Sequence, residues 1–219
     1  MARLLFEKTG NAVWISHLDM MRLFQRAFKR AGLALTHTQG FNPRPSVSIA
    51  LPLSVGVESG CELLDFDLEG ETPSCNEIMD RLNRALVAGV RVLEVYDSGA
   101  KIKNLALLDC LVTLEYDSGV PEGAEKALTS LFTQDSLLVE KRGKNGVVEQ
   151  DIIPMIRKFC IQQVDAHTLV LSARICCQNP TLNPMQLHGA IIRHLPKLTP
   201  SFAKCQRVEL YDTDGNIFR

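Results

Sequence analysis

The chain has 219 residues, of which 46% are hydrophobic and 22% charged, and its formal net charge is −1 at pH 7. These values are typical of an ordinary globular protein and suit one large domain or two of about 100 residues each. No segment has the roughly 18 consecutive apolar residues that a membrane-spanning helix needs, and the first ten residues lack the apolar run of a secretory signal. We therefore expect a cytoplasmic protein with no membrane partner.

The small net charge conceals a strong asymmetry along the chain. Residues 1–45 carry a formal net charge of +5, residues 46–100 carry −7, and residues 101–219 carry +1. Such asymmetry bears on binding partners rather than on the fold. The first 45 residues are therefore where we expect contact with an anionic partner.

The cysteines predict no metal site. The chain has seven of them, an odd number, and no two are spaced as a CxxC pair. This pattern is typical of reduced thiols, and it favours neither a structural zinc site nor an iron–sulfur cluster. We therefore expect neither metal nor cofactor in this chain. Radical chemistry that depends on an iron–sulfur cluster would then need another polypeptide.

The first half of the chain predicts the element order β-α-β-β-α-β. Apolar runs bounded by turn residues indicate strands near 3–8, 47–51, 63–68 and 90–96. The first helix is expected to follow Ser16, with Asp19 three residues later in a capping-box-like pattern, and to run to Ala31. A second helix is expected from Ser74 to Leu86.

The predicted first helix has one apolar face and one basic face. Apolar residues recur at three- and four-residue steps and predict the buried face: Leu18, Met21, Phe24, Ala27, Phe28 and Ala31. The opposite face carries Arg22, Arg26, Lys29 and Arg30. These cations form a stripe about 10 Å long, which could follow a phosphate backbone and release its counterions. The alternative is a solvated helix face that is partly neutralised by an Asp19–Arg22 pair.

The second half approximates the same order with one extra hairpin. Strands are indicated near 107–116, 158–164, 169–175 and 206–211, and helices near 122–132 and 184–195. The extra hairpin is expected to turn at residues 143–146. The two halves predict an α+β fold of two tandem ferredoxin-like (split βαβ) units with antiparallel sheets, over residues 1–98 and 105–219.

The segment Ile15–Ser59 contains the strings SHLD and GFNPRP on either side of the basic helix. It resembles the radical-SAM-linked protein family, a bacterial domain of unknown function found alone or fused to radical-SAM proteins. The resemblance implies a radical-SAM enzyme as partner. Family members usually show GFNPHP followed by a basic residue, whereas Arg44 and Ser46 stand at those positions here. This difference argues against a required catalytic histidine in the loop.

The GFNPRP loop carries candidate contacts to nucleic acid. Arg44 lies between two prolines, so the loop loses little entropy on binding and the guanidinium can hold a phosphate with two hydrogen bonds. Phe41 could stack on a base, and Asn42 could read a base edge. The alternative places Phe41 in the core and uses Asn42 as a turn cap. Lys8 is expected to extend the basic patch.

Two histidines in the same segment are candidates for catalysis. His17 comes directly after the predicted helix cap, where a neutral imidazole can act as a general base or a metal ligand. A His17/His37 pair acting on an RNA 2′-hydroxyl would make the protein an endoribonuclease of the repeat-associated type. The alternative for each is a structural histidine that bonds to a loop carbonyl.

Together these patterns favour a non-catalytic accessory protein that binds RNA and presents or positions it for a radical-SAM enzyme. Two rival interpretations remain open. One is the endoribonuclease that uses His17 or His37. The other is a protein-interaction scaffold whose basic patch meets an acidic partner.

Overall fold

A computed structural model describes residues 1–143 and 146–219. Within it the chain divides into two compact units, each held together mainly by contacts among its own residues. The first unit comprises Met1–Asn104 with Ile217–Arg219, and the second comprises Leu105–Asn216. From the sequence we predict that the last three residues belong to the second unit. They belong to the first because the Phe218 ring lies against the Arg3 guanidinium, with 5.3 Å between Cζ and the ring centroid.

The first unit has the element order β-α-β-β-α-β. The elements are β1 (Ala2–Lys8), α1 (His17–Arg30), β2 (Val47–Ile49), β3 (Val57–Phe66), α2 (Cys75–Ala85) and β4 (Val90–Tyr96). The strands lie in the order β4-β1-β3-β2, and each neighbouring pair is antiparallel.

The second unit repeats this order with an inserted hairpin. The elements are β5 (Leu105–Glu115), α3 (Ala124–Phe132), β6 (Leu138–Gly143), β7 (Gly146–Asp151), β8 (Ile156–Gln163), β9 (Thr168–Cys176), α4 (Pro184–His194) and β10 (Phe202–Asp212). The strand order is β10-β5-β9-β8, again antiparallel, and β6 pairs with β7 in a separate two-stranded sheet. The two central residues of the predicted hairpin turn, Lys144 and Asn145, lie outside the described residues.

These elements confirm the predicted α+β class with antiparallel strands. Four α-helices of 9 to 14 residues occur over residues 1–143 and 146–219. None of the helices in this described part combines the length and apolar character required to cross a bilayer.

Helix α1 begins where its cap predicts, and its buried face agrees with the prediction except in the first turn, since Met21 and Ala31 also pack partly buried against the core. The Ser16 hydroxyl oxygen accepts a hydrogen bond from the Asp19 backbone N–H at 3.2 Å, as an N-cap does. The buried residues are Met20, Phe24, Ala27 and Phe28, whereas Leu18 is 66% exposed. The three- and four-residue spacing of apolar residues predicts that Leu18 is buried, and this prediction is wrong. Leu18 is exposed because the stripe that covers the sheet falls at positions 20, 24, 27 and 28.

Alternate residues of β5 point to opposite faces of the second sheet. Leu108, Cys110, Val112 and Leu114 are buried, and α4 packs against this strand. Asp109 and Leu111, between them, are only half-buried and belong to the opposite face.

Candidate nucleic-acid interface

Two of the four cations predicted on α1 are engaged within the chain. Arg22 donates from Nη1 to Oδ1 of Asp19 at 3.0 Å. Arg30 donates from Nη2 to the carbonyl oxygen of Ala85 at 2.5 Å and so satisfies the last residue of α2. Arg26 and Lys29 are exposed and form no hydrogen bond or ion pair within the described residues. They are the cations that α1 leaves available to a ligand.

The carboxylate of Asp19 neutralises part of this face. The hydrogen bond from Ser16, followed by that from Arg22, lowers the pKa of Asp19, and the charges of Arg22 and Arg26 act in the same direction. The carboxylate therefore stays ionised at neutral pH. The Asp19–Arg22 pair that the sequence offered as an alternative is present, and it covers the amino-terminal part of the stripe only.

The chain between α1 and β2 folds back on itself over residues 36–46, here called the 36–46 loop. The Thr38 backbone N–H donates to the Arg44 carbonyl oxygen at 2.8 Å, and the Ser46 N–H donates to the Thr36 carbonyl oxygen at 2.8 Å. The Arg44 N–H in turn donates to the Thr38 hydroxyl at 3.0 Å. These bonds hold the base of the loop, so its two ends stay together while its tip is presented to solvent.

The tip of the 36–46 loop exposes an aromatic ring and, three residues later, a cation. Phe41 has a relative exposure of 103%, and Asn42 and Arg44 are exposed as well. The alternative in which Phe41 fills the core is therefore wrong. A ring this exposed, on the same loop as an exposed arginine, suits stacking on a base and contact with its phosphate.

Lys8 does not extend this surface, contrary to the sequence analysis. It is 2% exposed, and its Nζ donates to the Ile15 carbonyl oxygen at 2.9 Å. The ammonium group therefore lies beneath the chain that enters α1. Strand alternation places Lys8 on the same side of β1 as the buried Phe6, which is why a cation there faces inward.

The two histidines that were considered as a catalytic pair do not meet. His17 lines a cavity of about 10 Å³ together with Lys8 and Glu62, a volume that suits about one water molecule. His37 lies beyond the carboxyl end of β3, with its Nδ1 3.8 Å from Oε1 of Glu69. The five residues of β3 from Glu62 to Phe66, four steps along the strand, alone span roughly 13 Å, so the imidazoles cannot share one 2′-hydroxyl.

Acidic side chains lie near the chain that leads into the loop. A cavity of about 380 Å³ is lined by Glu69, Glu71 and Glu77, together with Arg81, which forms an ion pair with Glu77. This side of the unit repels an anion. In the first unit, the candidate surface for a polyanion is therefore the exposed side of α1 and the tip of the 36–46 loop rather than this side.

The second unit carries a polar cluster for which the sequence analysis named no candidate. Arg174 donates from Nε and Nη2 to the two carboxylate oxygens of Asp109 at 2.7 and 2.8 Å. The Tyr211 hydroxyl donates to Oδ2 of Asp109 at 2.9 Å, and Cζ of Arg174 lies 3.8 Å from the centre of the Tyr211 ring. No sequence signal could have found this cluster, because its members are at least 37 residues apart and meet only through strand register.

The charges within this cluster stabilise one another. Burial alone would raise the pKa of Asp109 and is the largest single effect. The hydrogen bonds from Arg174 and Tyr211, with the charges of Arg174 and Lys158, outweigh burial and hold that pKa below its ordinary value. Burial and the bond to Asp109 raise the pKa of Tyr211. At neutral pH the cluster therefore combines a carboxylate, a guanidinium and a neutral phenol.

Metal ligands do not cluster in the part of the chain that is described. No group of three or more His, Cys, Asp and Glu side chains in residues 1–143 and 146–219 is placed to hold an ion. Cys160 is the exposed member of the seven free cysteines, and the others are buried or half-buried.

Solved structures resemble the chain only distantly. A chain of a Cbf5-Nop10-Gar1 complex matches with 9% identity and a TM-score of 0.49, over 95% of this chain and 48% of that one. The present chain thus spans about half the length of that relative. A protein of unknown function from Galdieria sulphuraria matches with 11% identity and a TM-score of 0.27, over 94% of this chain and 95% of that one. Neither likeness is close enough to inform the function.

A family model matches most of the sequence. No curated protein matches it. The family model spans residues 2–184, which include α1, the 36–46 loop and the Asp109–Arg174 pair. The chain therefore belongs to the family DUF2344, described as an uncharacterized protein conserved in bacteria.

Proposed function

We propose that this protein binds single-stranded RNA through the exposed side of α1 and the tip of the 36–46 loop, and that it acts as a non-catalytic module that presents the RNA. The observation that carries the proposal is the full exposure of Phe41, three residues before the exposed Arg44, on a loop whose base is hydrogen-bonded. An exposed ring of this kind costs free energy in water and is useful when a base covers it.

The available charge supports the same ligand. Arg26 and Lys29 lie one turn apart on α1, and neither forms a hydrogen bond or ion pair within the described residues, although the charge of Arg26 also acts on Asp19. Cations at this pitch can follow successive phosphates and release condensed counterions. The backbone of Arg44 is hydrogen-bonded at the base of the loop, and its exposed guanidinium can bind a phosphate near the base that stacks on Phe41.

The partner that we propose is a radical-SAM enzyme. This part of the proposal rests on the resemblance of the SHLD and GFNPRP strings to the radical-SAM-linked family. In this scheme the enzyme supplies the chemistry and the present chain supplies the RNA contact. The separation of His17 from His37 is the reason that we do not propose the ribonuclease.

We also propose that both units are of the ferredoxin-like type. Numbered within each unit, the four main strands lie in the order 4-1-3-2, with antiparallel neighbours in both. This is the order that a split βαβ unit has. The hairpin β6–β7 is then an insertion between the first helix and second main strand of the second unit.

A salt titration with charge reversal tests the RNA contact. We expect the double variant Arg26→Glu/Lys29→Glu to bind oligouridylate and oligoadenylate more weakly than the wild type. Its affinity should also fall less steeply between about 50 and 200 mM salt, because fewer counterions are released. Lys126→Glu, on the exposed side of α3, is the matched control. Equal salt slopes for all three proteins would exclude α1 as the contact.

A second candidate function is that of a protein-interaction module. Trp14 is 69% exposed and lies just before α1, near the exposed Leu18. The Trp14 ring covers Gly56, where an added Cβ would lie 3.6 Å from Cζ3. Exposed aromatic residues of this kind are enriched at protein interfaces. Co-purification of a radical-SAM enzyme that is lost in Trp14→Ala but retained in Phe41→Ala would support this function.

A further inference from the structure

We propose that the sheet of the second unit holds a binding site for a nucleobase, which stacks on the guanidinium plane of Arg174 next to the cation of Lys158. The inference rests on the proposed function, because it assigns a second contact point to the same RNA. It involves only residues of Leu105–Asn216 and can be tested with mononucleotides.

The site is a cavity built on two rows of cross-strand neighbours. Its volume is about 250 Å³. Arg174 of β9 lies directly opposite Asp109 of β5 on one side and Lys158 of β8 on the other. Ser172, two residues before Arg174, lies likewise between Leu111 and Cys160 in the next row. Both rows belong to the face of the sheet that α4 does not cover.

The guanidinium of Arg174 offers a fixed planar surface for stacking rather than free hydrogen-bond donors for an anion. Both carboxylate oxygens of Asp109 already accept its hydrogen bonds, and the Tyr211 ring covers the guanidinium at 3.8 Å. The side chain is nevertheless 29% exposed and lines the cavity, whereas Tyr211 is not part of the lining. A guanidinium held in this way stacks on a planar heterocycle, as arginine does in RNA recognition.

The remaining lining suits a base that carries a phosphate. Lys158 is exposed, and although its charge also acts on the carboxylate of Asp109, it forms no hydrogen bond or ion pair in the residues that the structure describes and its ammonium group can take a phosphate oxygen. Leu111 and Val208 supply apolar surface. With a volume of about 250 Å³, the cavity has space for one heterocycle with its sugar and too little for a folded peptide.

The wild-type protein contains its own reporter of occupancy. Cys160 lines the cavity and is exposed, whereas Cys75 is half-buried in the first unit. We expect adenosine 5′-monophosphate and uridine 5′-monophosphate to slow the alkylation of Cys160 by iodoacetamide severalfold. Alkylation of Cys75 should not change. Mass spectrometry of the modified peptides measures both rates in one sample.

Ribose 5-phosphate distinguishes a base site from an anion site. We expect it to leave the alkylation rate of Cys160 unchanged, because it lacks the ring that stacks on Arg174. Equal protection by ribose 5-phosphate would overturn the proposal, since Lys158 would then bind any phosphate. Failure of both nucleotides to protect Cys160 would overturn it as well.

Two variants assign the roles within the site. Arg174→Lys keeps the charge and removes the plane, and we expect it to weaken adenosine 5′-monophosphate binding at least fivefold, the loss typical of one base stack. Lys158→Ala should weaken the binding of adenosine 5′-monophosphate and leave the binding of adenosine, which has no phosphate, unchanged. Near-UV circular dichroism shows whether each variant keeps its native packing. If Arg174→Lys distorts the sheet, the wild-type protection experiment still decides the question.

The outcome can be separated from that of the proposed function. Reversal of Arg26 and Lys29 changes the first unit and should not affect nucleotide protection of Cys160. If the reversal leaves RNA binding intact while nucleotides protect Cys160, the proposed function fails and this site stands. If RNA binding depends on α1 but no nucleotide protects Cys160, the site fails and the proposed function stands.

Discussion

Asp109 and Arg174 face each other on neighbouring strands, and both carboxylate oxygens accept hydrogen bonds from the guanidinium. The first unit contains the same arrangement between Arg3 and Asp65, with bonds of 2.6 and 3.0 Å. Each pair joins the first main strand of its unit to the third, and each guanidinium lies against an aromatic ring. The charges are exchanged between the strands, with arginine first in one unit and aspartate first in the other.

The Asp109 cluster predicts how stability depends on pH. The pKa of Asp109 is lowered in the folded protein, so its contribution is present above the unfolded value, about 3.9, and is lost as the pH falls through the folded value. The pKa of Tyr211 is raised, so its contribution is present below about 10 and is lost as the pH rises through the folded value. Denaturation of wild type and Asp109→Asn from acid to alkaline pH tests this.

At neutral pH we expect Asp109→Asn to lower the free energy of unfolding by about 1–2 kcal/mol, toward the low end for a charged hydrogen bond, because both side chains are partly exposed. The difference from wild type should shrink in acid, where the wild-type carboxylate is protonated. A difference that stays constant down to the lowest pH would contradict this assignment.

The Arg3–Asp65 pair predicts the effect of a methyl group at Gly99. An added Cβ would lie 2.3 Å from Cζ of Arg3, and that guanidinium is held by Asp65 and Phe218. We therefore expect Gly99→Ala to cost about 1–3 kcal/mol by overpacking. Gly60→Ala is the matched control, because nothing lies within 4 Å of an added Cβ there. Urea denaturation compares the two, and equal stabilities would show that Arg3 can move aside.

Core burial on α1 predicts opposite results for two apolar residues. Phe24 is fully buried, with its ring centre 4.7 Å from that of Phe6, and we expect Phe24→Ala to cost about 3–5 kcal/mol. Leu18 is exposed, so Leu18→Ala should change stability by about 0.5 kcal/mol or less. Thermal unfolding measures both, and a large loss in Leu18→Ala would contradict the exposure of this residue on α1.

The burial of Lys8 predicts that its amine is protected from reagents. Acetic anhydride should acetylate Lys29 rapidly in the native protein, because that side chain is exposed. Lys8 should react only after denaturation, since its ammonium group is buried against the Ile15 carbonyl oxygen. Peptide mass spectrometry reports both sites. Rapid native acetylation of Lys8 would return it to the candidate RNA surface.

The exposed ring at the loop tip predicts the largest single loss of RNA affinity. We expect Phe41→Ala to weaken binding of oligouridylate and oligoadenylate by about 5- to 100-fold, the cost of one lost stack. Stability should be unaffected because the ring buries no surface. Phe41→Tyr, which keeps an aromatic face, is the matched control and should bind like the wild type. Fluorescence anisotropy measures the affinities, and an unchanged value in Phe41→Ala would remove the loop from the interface.

Local pattern was enough to predict several of these features. The Ser16 cap, the extent of α1 and the exposure of Arg26 and Lys29 follow from contacts between residues three or four apart, which the sequence displays directly. The order of strands and helices in each unit could be predicted for the same reason. The exposure of Arg26 and Lys29 in the candidate interface can therefore be predicted from the spacing of nearby residues in the sequence.

Two of the corrected side chains also follow local patterns, since alternation along β1 puts Lys8 on the side of Phe6 and helical spacing puts Leu18 off the buried stripe of α1. Long-range pairing decided the remainder. The sequence could not show that His17 and His37 lie apart, nor could it bring Asp109 to Arg174, since 65 residues separate them along the chain. Strand register sets these relationships. Register depends on how distant apolar surfaces fit together, which no local periodicity encodes.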